Sequence, residues 1–256
     1  SWVVDTTGMY YDATRPSDLE GLLAAGSRSD PERLRSAALR RRLVEQSITK
    51  YNLRAEPWHR PVDAERVVLV VGQVETDASI RFGAPGIRTN LGLLKAVRAA
   101  EPDAYIVYKP HPDVVAGLCR PGEGEQSTAS CCDAVLTSGS IQQLFTQIDV
   151  LHVLTSLAGF EALLRGLEVH CWGLPFYAGW GLTRDRENCP RRGSGLELDD
   201  LVHAALVEYP RYVNRHSGWF ITPEQAIDEL VAWREGPPER RTLVQALFRY
   251  WGRLRR

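Results

Sequence analysis

Lys109-Pro110-His111-Pro112 places a cation and an imidazole directly after the apolar run Ala104-Tyr105-Ile106-Val107-Tyr108. That run has strand length, so the two polar side chains stand at the carboxyl end of a buried strand. Open α/β sheets bind ligands at this edge. The two prolines restrict the backbone on either side of His111. A rigid, positively charged strand exit suits a phosphate or carboxylate; the same four residues also read as a Pro-rich turn that carries a histidine. Two more exits have comparable content. Gly72-Gln73-Val74-Glu75-Thr76-Asp77-Ala78-Ser79 brings two acids to the lip of a strand, where a carboxylate serves as nucleophile or general base. Gln73 offers an amide to a sugar or to the loop itself. Thr155-Ser156-Leu157-Ala158-Gly159-Phe160-Glu161 reads as strand, cap, helix. Its free N–H groups attract anions, Gly159 permits close approach, and Glu161 suits ribose hydroxyls. Ordinary capping accounts for the same residues.

The elements that position these groups follow from hydrophobic patterning. Arg66-Val67-Val68-Leu69-Val70-Val71 is a continuous β-branched run, as expected for a strand buried on both faces. Asn90 to Ala100 reads as a helix with Asn90 as cap, and Ile141 to Gln147 as a short helix. Val150 to Leu154 reads as a strand, Leu157 to Arg165 as a helix, and Val169 to Trp172 as a strand. Strands alternating with helical patterns imply βαβ units and a parallel sheet. Upstream, Ser17 caps a helix carrying Leu19, Leu22 and Leu23, and Arg33 to Thr49 forms a second helix whose Arg40-Arg41-Arg42 reads as a solvated face. Residues 51–61 read as a linker. Downstream come an aromatic, Gly-rich loop from Leu174 to Gly181, helices over Leu196–Val207 and Pro223–Trp233, and a Gly236-Pro237-Pro238 linker. The basic tail from Arg240 to Arg256 then suits either docking on the protein or an interfacial membrane contact. The expected division is 1–60 as a helical linker region, 61–190 as a Rossmann-like domain, and 191–256 as a helical extension.

Composition narrows the function. The chain has 256 residues, a net charge of −1, 25% charged and 44% hydrophobic residues, and five cysteines. Near-neutral charge argues against nucleic acid as a partner. No apolar run approaches the roughly 20 residues of a membrane helix, and no basic-then-apolar leader opens the sequence. An odd cysteine count without zinc spacing points to a reducing, cytoplasmic setting. His59, His152, His170, His203 and His216 share no ligand spacing, and His152 and His170 sit inside apolar strands as core residues. No metal site and no cofactor are expected.

The exits Gly72–Ile80, Tyr108–Asp113 and Leu154–Leu163 occur in order with Gly173-Leu174-Pro175-Phe176-Tyr177-Ala178-Gly179-Trp180-Gly181-Leu182-Thr183. With Gly8–Ala13 and Pro16–Glu20, they resemble the KpsC-type capsule polysaccharide proteins, the β-Kdo glycosyltransferases of Gram-negative bacteria. The resemblance spans nearly the whole chain. It implies a GT-B fold of two Rossmann-like halves, of which this chain holds the donor-binding one. It also implies retaining transfer of Kdo from CMP-β-Kdo onto a lipid-linked oligo-Kdo acceptor, at the inner face of the inner membrane. The family's Gln-x-x-x-Asp-x-Ser pattern makes Asp77 the nucleophile. His111, Lys109, Pro112, Thr155, Ser156, Gly159 and Glu161 then bind and release CMP with Gln73. Glu75, Arg81 and Tyr177 are candidate sugar contacts, Tyr177 lying in a loop that suits either a sugar-facing wall or core packing. The family's upstream Glu-Asp-Gly-Phe-Leu-Arg-Ser segment, which serves the acceptor side, has no counterpart here. The other half of the module is therefore an expected partner. A transferase for another CMP-sugar of the sialic-acid type, and a non-catalytic nucleotide-binding module of capsule assembly, remain as alternatives.

Overall fold

The computed structural model describes residues 1–48, 58–193 and 195–235. The basic tail, the Gly-Pro-Pro linker and residues 51–57 of the upstream linker lie outside the described residues. The elements run β1 (Trp2–Val3), α1 (Asp18–Ala24), α2 (Asp30–Glu45), β2 (Val67–Val71), α3 (Ala78–Gly83), α4 (Asn90–Ala100), β3 (Tyr105–Lys109), α5 (Pro112–Val115), β4 (Ala134–Val135), α6 (Ile141–Phe145), β5 (Val150–Val153), α7 (Leu157–Leu163), β6 (Glu168–Cys171), β7 (Arg184–Asp185), α8 (Leu198–Val202), β8 (Pro210–Val213), β9 (Phe220–Ile221) and α9 (Pro223–Glu235). They fall into two units: Val3–Pro210, and Ser1–Trp2 with the residues from Arg211 onward. The second unit holds the β8–β9 hairpin, paired Tyr212 to Ile221 and Val213 to Phe220, and α9.

The first unit is built on a six-stranded sheet of order β4-β3-β2-β5-β6-β7. Its pairings are parallel, with Val67 beside Tyr105 and Val68 beside Val150. This is the expected Rossmann-like α/β architecture. β2 is central and wholly buried because its side chains alternate between two covered faces. Val67, Leu69 and Val71 face one cluster with Val107, Leu151, Val153, Val169, Phe160 and Tyr177. Val68 and Val70 face the other, with Ile106, Tyr108, Val150 and the α4 residues Leu93, Leu94 and Val97. Each such side chain contributes roughly 1.5–3 kcal/mol on leaving water.

Several expectations change at the helices. Thr89, not Asn90, caps α4: its hydroxyl accepts from the Gly92 N–H at 3.1 Å, and Asn90 is the first helical residue. The Arg40-Arg41-Arg42 run is not uniformly solvated. Arg40 reaches Asp199 of α8 at 2.8 Å, beside the Arg33–Asp200 pair at 3.0 Å. The helix expected over Leu196–Val207 starts at Leu198 and continues into a π-helical turn, His203–Glu208. Ser17 caps α1 as expected, but Glu20 does not reach back to it. Its buried carboxylate instead accepts from Arg191 at 2.6 Å and from Arg192 at 3.0 Å.

That last contact reaches the aromatic loop. The Arg192 side chain is 3% exposed and also donates to the carbonyls of Pro175 and Ala178, at 2.6 and 3.0 Å. Breaking a buried charge pair strands the remaining charge. Glu20→Ala is expected to lower stability by about 3 kcal/mol, measured by urea denaturation; a loss within experimental error would show that the pair carries nothing.

Candidate active site

The three polar strand exits meet at one cleft of about 280 Å³, at the small end of ligand sites, which run roughly 300–1,000 Å³. From the β2 exit it is lined by Gly72, Gln73, Val74, Asp77 and Ser79. The β3 exit contributes Lys109, Pro110, His111 and Pro112, and the β5 exit Thr155, Ser156, Leu157, Ala158 and Glu161. All lie in the unit Val3–Pro210.

Local chemistry fixes each group. Asp77 caps α3, with Oδ1 accepting from the Ser79 N–H at 2.9 Å, and the residue is exposed. His111 caps α5, and its Nδ1 accepts from the Asp113 N–H at 3.2 Å. A neutral His111 therefore carries its hydrogen on Nε2. Ser156 caps α7 by accepting from the Ala158 N–H at 3.2 Å. Lys109 is 7% exposed, and its Nζ donates to the Ser138 carbonyl at 3.1 Å. Among the described residues no carboxylate is paired with it. Burial holds its pKa below the usual lysine value. An ammonium so placed gains most from an anion entering the cleft.

Four expected contacts do not line the cleft. Glu75 turns away: its carboxylate accepts from the backbone N–H groups of Asn90 and Glu123, each at 2.7 Å, and so ties down its own loop. Arg81 lies over the Phe82 ring, 5.1 Å from its centre. Tyr177 is fully buried and donates to the Ser156 carbonyl. Burial raises its hydroxyl pKa well above the ordinary value. Gly159 is small for the sake of Tyr177 rather than of a ligand, because a Cβ there would run into that hydroxyl. Both positions act through Ser156, which they hold from behind.

The structure adds a wall that spacing did not reveal. Tyr10, Tyr11, Pro175 and Phe176 line the cleft. The Tyr10 ring meets Phe176 edge-on, with centres 5.9 Å apart. The aromatic loop thus does both jobs considered for it: Pro175 and Phe176 reach the cleft while Tyr177, Ala178 and Trp180 are core. The only sequence signal for Tyr10 and Tyr11 was their place in the Gly8–Ala13 motif.

His152 and His170 are core residues as expected, but the fold brings them together. β5 and β6 pair His152 with His170, and donor atoms of Glu101, His152 and His170 lie within 4.8 Å of one another. Such a cluster was not expected from spacing. Its hydrogen bonds argue for a non-ligand role. Trp172 Nε1 donates to His152 Nδ1 at 3.0 Å, so the neutral His152 ring presents an N–H, not a lone pair, at Nε2.

The model of the family "Capsule polysaccharide biosynthesis protein" matches residues 33–212. The chain belongs to that family. It is 42% identical over 231 residues to the capsule polysaccharide modification protein LipA of Neisseria meningitidis serogroup B, covering 90% of this chain and 33% of LipA. It is 38% identical over 242 residues to the lipopolysaccharide-processing protein LpsZ of Rhizobium meliloti, covering 93% of this chain and 55% of LpsZ. The chain therefore spans a third of LipA and about half of LpsZ. Among solved structures, the β-Kdo 2,7 transferase of Thermosulfurimonas dismutans KpsC superposes with a TM-score of 0.77 at 43% identity, covering 91% of this chain and 73% of that one. The β-Kdo 2,4 transferase of the same KpsC gives a TM-score of 0.77 at 34% identity, covering 90% and 72%. Among the described residues no helix is long and apolar enough to cross a membrane.

Burial of His152 makes stability pH-dependent. Desolvation, helped by His170, Arg186 and Arg66, pulls its pKa down from 6.5 to about 3. The unfolded chain takes up a proton near 6.5 that the folded chain refuses until about pH 3. The His152 contribution is thus complete above pH 6.5 and is lost as pH falls through that window, by at most about 1.4 kcal/mol per pH unit. Urea denaturation of wild type and His152→Gln between pH 4 and 7 should give a shallower slope for the variant; equal slopes would refute the assignment.

Proposed function

We propose that this chain supplies the donor-binding half of a retaining glycosyltransferase. In this reading it moves Kdo from CMP-β-Kdo onto a lipid-linked oligo-Kdo acceptor of capsular polysaccharide. The other half of the module serves the acceptor, and the work takes place at the cytoplasmic face of the inner membrane. The observation that carries the reading is the meeting of Asp77, Lys109, His111 and Ser156 on one cleft. It is supported by likeness to two KpsC Kdo transferases at 43% and 34% identity.

The chemistry follows from charge. Asp77 Oδ1 is occupied by its cap bond. The Asp77 carboxylate attacks the anomeric carbon through Oδ2, forming a carbon–oxygen bond while the bond to the CMP phosphate breaks. The electron pair leaves with CMP. Lys109 and the His111 Nε2–H stabilise the departing phosphate, the ammonium by charge and the imidazole by hydrogen bond. An acceptor hydroxyl then displaces Asp77 from the opposite face, passing its proton to the CMP phosphate that left on that face as the second bond forms and the bond to Asp77 breaks. Two inversions leave the configuration unchanged. Glu161, also on the cleft, suits the ribose hydroxyls. The aromatic wall of Tyr10 and Phe176 suits the flat base or the sugar face. The donor carries enough negative charge to answer Lys109 without a metal ion.

The test is made on the protein as encoded, with CMP-Kdo and CMP-sialic acid offered separately. CMP release is expected from CMP-Kdo alone, with a Kdo adduct on wild type by intact mass. Asp77→Asn should form no adduct and lose rate by about a thousandfold or more. Undiminished turnover in Asp77→Asn would end the nucleophile assignment. CMP binding by calorimetry without release from either donor would make the chain a binding module instead.

A further inference from the structure

We propose that Asn90, which does not itself line the cleft, is the positioning residue that holds the Asp77 segment in its reactive place. The proposal rests on the transferase reading above for its kinetic consequence, but its structural core stands on hydrogen bonds alone.

The β2–β3 ladder ends at Gly72, whose N–H donates to the Lys109 carbonyl at 2.8 Å. Beyond it, Gln73 is buried and has no strand beside it. Its N–H and carbonyl must be answered or the segment would not stay there. Asn90 answers both. Its Oδ1 accepts from the Gln73 N–H at 2.9 Å, and its Nδ2 donates to the Gln73 carbonyl at 3.0 Å. One side-chain amide thus stands in for a missing strand neighbour. Among short side chains only an amide offers a donor and an acceptor in one plane at this spacing.

Asn90 is itself held by two carboxylates. It is 2% exposed. As the first residue of α4 it has a backbone N–H with no helical partner, and Glu75 accepts it at 2.7 Å. Its Nδ2 also approaches the Glu125 carboxylate at 3.3 Å, which Tyr108 anchors through its hydroxyl at 2.7 Å.

The Gln73 amide then passes the arrangement across the sheet. Its Oε1 accepts from the Thr155 N–H at 2.8 Å, and its Nε2 donates to Thr155 Oγ1 at 3.0 Å. Thr155 Oγ1 donates to Ser79 Oγ at 3.2 Å, and the Ser79 N–H meets Asp77 Oδ1. Four links therefore join Asn90 to the carboxylate: Gln73, Thr155, Ser79 and Asp77. Lys109, His111 and Ser156 sit outside this chain, on the β3 exit and the cap of α7. Loss of Asn90 should misplace the nucleophile while leaving most donor contacts intact. Misplacement of about 1 Å costs roughly a hundredfold in rate.

The test uses Asn90→Ala, the near-isosteric Asn90→Asp, and Thr89→Ala as a control that removes the α4 cap without touching Gln73. Asn90→Asp keeps the acceptor but sets an oxygen against the Gln73 carbonyl and Glu125. It carries the test should Asn90→Ala fail to fold. Two readouts are taken on the protein as encoded: hydrogen–deuterium exchange over residues 72–79, and kcat and KM for release of CMP from CMP-Kdo. Asn90 variants should exchange faster in that segment and lose kcat about 10- to 100-fold, with KM for the donor within about threefold of wild type. Thr89→Ala should do neither. The proposal is overturned by unchanged exchange, by unchanged kcat, by a loss confined to KM, or by an equal kcat loss in Thr89→Ala. An inactive wild type would instead reject the transferase reading, and the exchange data would then decide the holding role of Asn90 by themselves.

Discussion

A parallel sheet runs out of backbone partners at its carboxyl edge, and everything at this cleft depends on how those loose ends are met. Inside the sheet each N–H and carbonyl has a neighbouring strand. Past Gly72, Lys109 and Leu154 the ladder stops while the chain is still surrounded by packed residues. Side chains take over. The Asn90 and Gln73 amides and the Thr155 and Ser79 hydroxyls satisfy backbone or side-chain groups of the exits, and the Glu75 carboxylate secures the N–H of Asn90 behind them. The groups left facing the cleft are held by groups already bonded elsewhere. Such preorganisation means that little rearrangement is needed when charge develops.

Charge balance in the cleft points the same way. The acids near it are mostly committed: Glu75 to two N–H groups, Glu125 to Tyr108 and Asn90. Among the described residues Lys109 is bonded to a carbonyl and to no carboxylate. A buried ammonium with a neutral partner is costly alone and becomes favourable beside an anion. Among the described residues, the cleft therefore has Lys109 on its floor with no carboxylate partner, and the carboxylates of Asp77 and Glu161 on its walls, Asp77 being exposed. A phosphate-linked sugar that leaves an anionic nucleotide fits that asymmetry. A neutral ligand would leave the lysine unanswered.

The strands and their exits were legible because burial on both faces writes itself as an unbroken apolar run. Val67–Val71 and Ile106–Tyr108 could hardly be anything else. Of the cap residues only Ser156 was legible as one, before the helix read from Leu157; α3 and α5, which Asp77 and His111 cap, are too short to write a helical period. What escaped was set by tertiary contact. Thr89 and Asn90 are both good cap residues, and tertiary contacts decide between them: Gln73 and Glu125 engage the Asn90 amide, leaving the cap to Thr89. Gly159 and Tyr177 look like ligand-side residues until the hydroxyl is found beneath the glycine. The His152–His170 pair needed the register of β5 against β6, which no one-dimensional pattern contains.

The aromatic wall shows how distant sequence is recruited without any strand exit. Phe176 has no regular secondary structure to hold it, yet it lines the cleft beside Tyr10. Its loop is fixed by polar contacts at both ends. Arg192 donates to the Pro175 and Ala178 carbonyls while its charge is answered by Glu20 of α1, and Trp180 donates to the Phe176 carbonyl. Tyr177, next in the chain, turns the other way and secures Ser156. A single loop thus sets the position of an aromatic face and of a helix cap on the opposite exit. Phe176 and Tyr177 are neighbours on one backbone, so the loop that presents Phe176 to the cleft is also the one whose Tyr177 hydroxyl holds Ser156.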